Sequence, residues 1–286
     1  MLIEMEHVKK TYKKKEFVLD CSLELQEGHV TGLIGANGAG KTTTFKAILD
    51  LIRPEDGTIR IFGKENQTLT RADKERIGVV LPEQTFSGTL KVKDIIPVMA
   101  AMYPSFDRAA FEEKCRQYEI PFKKQIKEFS TGMKAKLKLL IATSYQAQLL
   151  ILDEPTSGLD SMVRSDLLDL LLEYMEKENR GILISSHISG DLEKICDDIY
   201  LIHDGKIIFH EDTDVILSDY AVLKVDQEQY QKLDRSYILY EKEESFGYGV
   251  LTDQRQFYQE NYPEIVIEKS GIDEVLMMME RGRKVR

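Results

Sequence analysis

Eight residues constrain this chain more than any others. Gly35-Ala36-Asn37-Gly38-Ala39-Gly40-Lys41-Thr42 fits the pattern G-x-x-x-x-G-K-[ST], a string that background residue frequencies produce in about 1% of chains of this length. Its mechanics need a strand before it and a helix after it. Both are legible. Val30-Thr31-Gly32-Leu33-Ile34 is a continuous apolar run and reads as a buried central strand. From about Lys41 to Leu51 the pattern is helical, and Pro54 closes it. Glycines let the backbone curl so that successive N–H groups point inward at phosphate oxygens. The positive end of the helix dipole adds to the same potential. Lys41 is placed to reach the β- and γ-phosphates of a nucleotide and the Thr42 hydroxyl to bind Mg²⁺, with Thr43 next on the helix.

A second element belongs to the same chemistry. Leu149-Leu150-Ile151-Leu152 forms a short buried strand that presents Asp153 and Glu154 at its carboxyl end. Asp153 suits Mg²⁺, directly or through a water, and Glu154 is placed to polarise an attacking water.

Strands and helices alternate around these elements, which points to an α/β layer fold. Residues 2–8 and Val18 to Leu25 alternate as half-buried strands, and Thr58 to Phe62 and Ile77 to Leu81 add strand candidates. From about residue 87 to 146 helical periods take over. Met162 to Lys177 reads as a helix, Gly181 to Ser185 as a strand, Ile188 to Cys196 as a helix, and residues 199–208 as a hairpin. After Leu217 the composition shifts: seven of the 13 tyrosines lie there, and the stretch reads as a small α+β domain with strands near 221–225, 237–240 and 264–267 and a helix from Ile272 to Glu280. The last six residues carry four positive charges and read as a solvated tail, with an anionic-lipid or partner contact as the alternative.

Composition narrows the classes. A length of 286 residues, against about 150 for one domain, admits one large domain or two unequal ones. Hydrophobic residues at 42% and charged residues at 31% exclude a mainly disordered chain. Three widely spaced cysteines exclude a disulfide framework and a Cys-rich zinc site. A net charge of −10 argues against nucleic-acid binding. The longest apolar run, Ile95 to Tyr103, is broken by Pro97 and is far shorter than the ~18 residues of a membrane span. The N-terminus lacks the basic and apolar regions of a signal peptide, so a membrane link is expected to run through a partner.

Phe129-Ser130-Thr131-Gly132-Met133-Lys134, Ser157-Gly158-Leu159-Asp160 and Ser185-Ser186-His187 complete the pattern. With these in order, residues 1–216 resemble the ABC ATPases, the nucleotide-binding subunits of ABC transporters. The resemblance implies a P-loop fold of ABC ATPase type: a parallel-sheet core, an antiparallel β subdomain and a helical subdomain at about 87–146, followed by an accessory or dimerisation domain at 217–286. It implies ATP and Mg²⁺ as cofactors. Ser130, Thr131, Gly132 and Met133 stand where the family signature, usually Leu-Ser-Gly-Gly-Gln, touches ATP bound on a partner subunit. Here only the serine and the second glycine remain. His187 matches the switch histidine on the γ-phosphate, Asp160 the loop linking two sites across a dimer, and Tyr12 the ring that stacks on adenine. The family's metal-sensing glutamine falls on Pro82 by ungapped counting, so Glu83 or Gln84 must serve instead.

The resemblance thus implies a Mg²⁺-dependent ATPase at the cytoplasmic face of a membrane. It works as a homodimer or with a paralogue, and drives a polytopic permease. The signature region, Met162-Val163-Arg164 and the C-terminal extension resemble bacterial peptide exporters. Two alternatives stay open: a soluble ABC ATPase outside transport, and a regulatory subunit that binds ATP but turns it over poorly.

Overall fold

The computed structural model describes residues 1–12, 17–83, 86–245 and 247–285, with the side chains of Tyr12 and Phe17 outside the description. The chain divides into two compact units, Met1–His187 with Ile202–Ile208, and Ile188–Leu201 with Phe209–Arg286. The second unit therefore begins earlier in the chain than the composition shift after Leu217.

The first unit opens on antiparallel strands. β1 (Ile3–Tyr12) pairs with β2 (Phe17–Leu25), setting Ile3 opposite Leu25. β3 (Val30–Ile34) is buried at every position and runs into the glycine turn and α1 (Lys41–Ile48). β4 (Asp56–Ile61) pairs with the other edge of β1, and β5 (Lys64–Glu65) with β4. α2 (Arg71–Lys74) starts on Thr70, whose hydroxyl accepts the Asp73 N–H, and leads to β6 (Ile77–Val80). The helical stretch comprises α3 (Val92–Met102), α4 (Arg108–Gln117) and α5 (Thr131–Thr143). Pro97 does not end α3. A proline in a helix interior removes a hydrogen bond, but Val92, Ile95, Ile96 and Met99 bury one face of α3 and hold the helix through it.

β7 (Leu149–Asp153), α6 (Ser161–Met175), β8 (Gly181–Ser186), α7 (Ser189–Ile195), β9 (Asp198–His203) and β10 (Lys206–Asp212) follow. Among the described residues the large sheet is ten-stranded in the order β5-β4-β1-β2-β10-β9-β3-β8-β7-β6. The hairpin enters the first unit through residues 202–208. The strands β3, β8, β7 and β6 are parallel neighbours. Their register sets Ile34 opposite Ser186, Asp153 opposite Ser185 and Val80 opposite Leu152. All four therefore end at one edge, where ligands sit in open parallel sheets.

The second unit has its own core. α8 (Thr213–Asp219), β11 (Ala221–Val225), α9 (Gln227–Lys232), β12 (Ile238–Glu244), β13 (Gly247–Thr252), α10 (Arg255–Asn261), β14 (Val266–Lys269), α11 (Ile272–Arg281) and β15 (Arg283–Lys284) build a five-stranded sheet in the order β14-β11-β13-β12-β15. Leu223, Val225, Ile238, Val250 and Tyr258 pack at its centre. α7 belongs here because the Ile272 N–H at the head of α11 donates to Glu193 at 2.8 Å. The basic C-terminus is more than a solvated tail. Arg283 lies in β15 against β12, and its guanidinium donates to the buried carboxylate of Glu241 at 2.8 Å. Arg235 holds the other Glu241 oxygen at 2.7 Å. Burial pushes the Glu241 carboxyl up, but the Tyr230 hydroxyl, which donates to it, and these two guanidiniums hold it below its usual range. Among the described residues no helix is long and apolar enough to cross a membrane.

Candidate functional site

The edge where β3, β6, β7 and β8 end carries the phosphate-type loop. Gly35 is glycine for a steric reason: a Cβ there would lie 2.2 Å from the Ile202 carbonyl oxygen. Gly38 and Gly40 adopt φ of 88° and 122°, a region that favours glycine. Ala36, Asn37 and Gly38 form the exposed tip, while Ala39 is buried and donates its N–H to the Ala36 carbonyl. Thr43 is half-buried on α1.

Lys41 is 6% exposed. Its ammonium donates to the Gly35 carbonyl at 2.7 Å and lies 3.3 Å from Glu154 Oε1. A buried cation needs such partners. The same ammonium is available to an anion entering the loop.

Asp153 is 1% exposed and accepts hydrogen bonds on both oxygens. Thr42 Oγ1 donates to Oδ2 at 2.6 Å, and Ser185 Oγ donates to Oδ1 at 2.6 Å. Ser185 Oγ also accepts the Glu154 N–H at 3.0 Å. Glu154 leaves the strand with φ of 51°. Its Oε2 meets His187 Nδ1 at 2.5 Å. Its Oε1 is buried, accepts no hydrogen bond among the described residues, and faces only the Lys41 ammonium. Such an atom is suited to take a proton from a water.

Beside these groups a cleft of about 850 Å³ is lined by Asn37, Pro82, Thr131, Lys134, Glu154 and His187. Thr131 brings the first turn of α5 to its wall. Ser130 caps that helix by accepting the Met133 N–H at 3.2 Å, Gly132 is buried in its first turn, and Met133 is half-buried. Asp160 caps α6 by accepting the Val163 N–H at 3.0 Å. Lys138 also lines the cleft, and burial lowers its pKa.

One expected residue is engaged elsewhere. Glu83 is directed at α1, where its carboxylate pairs with the Lys46 ammonium at 2.9 Å in an exposed position. Gln84 and the Tyr12 side chain lie outside the described residues. Ser185 was visible only as part of a Ser-Ser-His string. Its bridge between Asp153 and Glu154 needs the β7–β8 register, which a single strand sequence does not carry. The cysteines take no part: all are buried, and burial pushes the Cys21 and Cys115 thiols up to about 12.

The donor set fits a hard cation. Thr42 and Asp153 offer a hydroxyl and a carboxylate held together. No cluster of three or more His, Cys, Asp or Glu side chains that could hold a metal occurs among the described residues. Mg²⁺ characteristically takes one or two protein oxygens and fills its shell with phosphate and water.

Comparison with known proteins agrees with this geometry. The ABC transporter family profile matches residues 18–157. The ABC transporter ATP-binding protein YtrB of Bacillus subtilis is 31% identical over 78% of this chain and 76% of its own. The lantibiotic transport ATP-binding protein SrtF of Streptococcus pyogenes is 31% identical over 84% of this chain and 99% of its own. The bacitracin transport ATP-binding protein BcrA of Bacillus licheniformis is 32% identical over 72% and 68%. A solved structure described as the ATP-binding subunit of an ABC transporter superposes with a TM-score of 0.67 at 28% identity, covering 76% of this chain and 92% of that one.

Ser185→Ala removes the donor to Asp153 and an acceptor of the Glu154 N–H. The variant should lose about 1–3 kcal/mol of unfolding free energy, read by denaturant titration, and slow any ATP turnover. A variant matching the parent in both would remove Ser185 from the site.

Proposed function

The chain belongs to the ABC transporter family of ATP-hydrolysing subunits, and from that premise we propose that it powers a peptide exporter by closing on a second such subunit around ATP. The observation that carries this is the convergence of Lys41, Thr42, Asp153, Glu154 and His187 at one sheet edge. ATP is held by the loop from Gly35 to Thr43, with Tyr12 on adenine. Lys41 exchanges its carbonyl and carboxylate partners for the phosphates, whose charge it offsets. Thr42 and Asp153 would hold Mg²⁺, with Gln84, or Glu83 if released from Lys46, as a further ligand. The metal, when bound, neutralises charge on the phosphates. Freed of Lys41, Glu154 accepts the proton of the attacking water, and His187 fixes the carboxylate's orientation.

Three features support pairing. Ser130, Thr131 and Asp160 are exposed at the heads of α5 and α6. Met162, two residues after Asp160, is 77% exposed. One chain carries one set of motifs, so the signature turn of each subunit serves ATP on the other. Residues 1–216 act as the ATPase domain, and its helices at about 87–146 face a membrane permease at the cytoplasmic surface. Residues 217–286 pair with their counterpart and steady the open dimer between turnovers. Peptide cargo is supported by the relatives named for bacitracin and lantibiotic transport.

Mixing a Ser130→Arg chain with a Lys41→Ala chain leaves one composite site intact in the heterodimer. Turnover should appear in the mixture and be absent from each variant alone. No recovery despite demonstrated heterodimers contradicts a shared site. For cargo, inverted vesicles carrying the chain and its permease should take up a labelled antimicrobial peptide with ATP, and Glu154→Gln should abolish uptake. Equal uptake by Glu154→Gln vesicles contradicts the reading.

A further inference from the structure

The heads of α5 and α6 are joined by one pair of residues. Ser130 holds the Met133 N–H, and Asp160 holds the Val163 N–H. Between these caps Gly132 faces Val163. A Cβ on Gly132 would lie 2.9 Å from Val163 Cγ1 and 3.0 Å from Cγ2, well inside the roughly 3.5–4.0 Å at which carbon atoms pack. Gly132 is buried and sits in the first turn of α5. Its φ is not in the left-handed region, so it is the Val163 side chain, and not the backbone, that requires a glycine here.

A second contact pins the same helices one turn on. Lys136 of α5 pairs with Asp166 of α6 at 2.5 Å, the lysine largely buried. On the α6 side, Arg164 Nη2 donates to the Leu159 carbonyl at 3.3 Å and so braces the loop that ends in Asp160. That loop runs back through Pro155 directly to Glu154.

We propose that Val163 is a positioning residue for ATP turnover: seated in the gap left by Gly132, it locks the Ser130 turn to the Asp160 loop so that the two move as one body. This rests on the reading of Ser130 as a contact to the partner's ATP. Contact of Ser130 with that ATP then passes through Gly132 and Val163 to Asp160, and along the loop to the chain's own Glu154.

The test is the ATP dependence of turnover by the full-length chain in variants of the pair, with melting temperatures measured alongside. Gly132→Ala should lower kcat about tenfold. Adding Val163→Ala makes room for the new methyl group and should restore kcat to within about threefold of the parent. Adding Val163→Thr keeps the branched shape and should restore nothing. Should Gly132→Ala fail to fold, Val163→Ala alone decides: it loosens the lock and should lower kcat about threefold. The proposal is overturned if the Gly132→Ala/Val163→Ala chain is as slow as Gly132→Ala, if Val163→Thr rescues equally well, or if the deciding single variant keeps the parent kcat. Failure of the underlying reading looks different, since Ser130→Arg would then turn over ATP at the parent rate.

Discussion

One buried carboxylate ties the site together. Asp153 accepts from Thr42 on α1 and from Ser185 on β8, both at 2.6 Å. A carboxylate taken out of water must find such donors, and one left unpaired in the interior costs several kcal/mol or changes its protonation. Here both oxygens are satisfied, so the end of β7, the first turn of α1 and the end of β8 form one rigid frame. Glu154 turns off that frame at φ of 51°. His187 holds one of its oxygens and Lys41 faces the other. The protein thus keeps its strongest local charges paired until an anion arrives to compete for Lys41.

Much of this was legible in sequence, because the informative signals are local. The glycine loop and the apolar run before Asp153-Glu154 need no distant partner to be read, and both lie where their patterns predict. What was not legible depends on contacts between distant segments. The Ser185 bridge needs strand register. The Glu83–Lys46 pair joins an exposed turn to a helix that sequence gives no reason to connect. Pro97 looks like a breaker until the buried face of α3 is seen. α7 joins the second unit through Glu193 and Ile272, which no composition change near residue 188 announces. Arg283 looked solvated because its partner, Glu241, is a glutamate on a different strand.

Two sequence signals raised the possibility of a subunit with weak turnover: the altered signature and Pro82. The contacts around Glu154 speak for the opposite. A carboxylate with one oxygen held by a histidine and the other, among the described residues, accepting no hydrogen bond is arranged to act on water once Lys41 turns to the phosphates. The signature departs from the family pattern mainly at positions exposed on α5 or buried under it, while Ser130 keeps its cap and Gly132 its fit against Val163.

The proposed role of Asp153 as metal ligand is tested most directly by calorimetric ATP binding with and without Mg²⁺, in the parent and in Asp153→Asn. The parent should lose affinity when Mg²⁺ is chelated. The variant keeps the hydrogen-bonding shape but not the charge, so it should bind ATP weakly in both conditions, with little response to the metal. A variant whose affinity rises with Mg²⁺ as steeply as that of the parent would contradict the assignment.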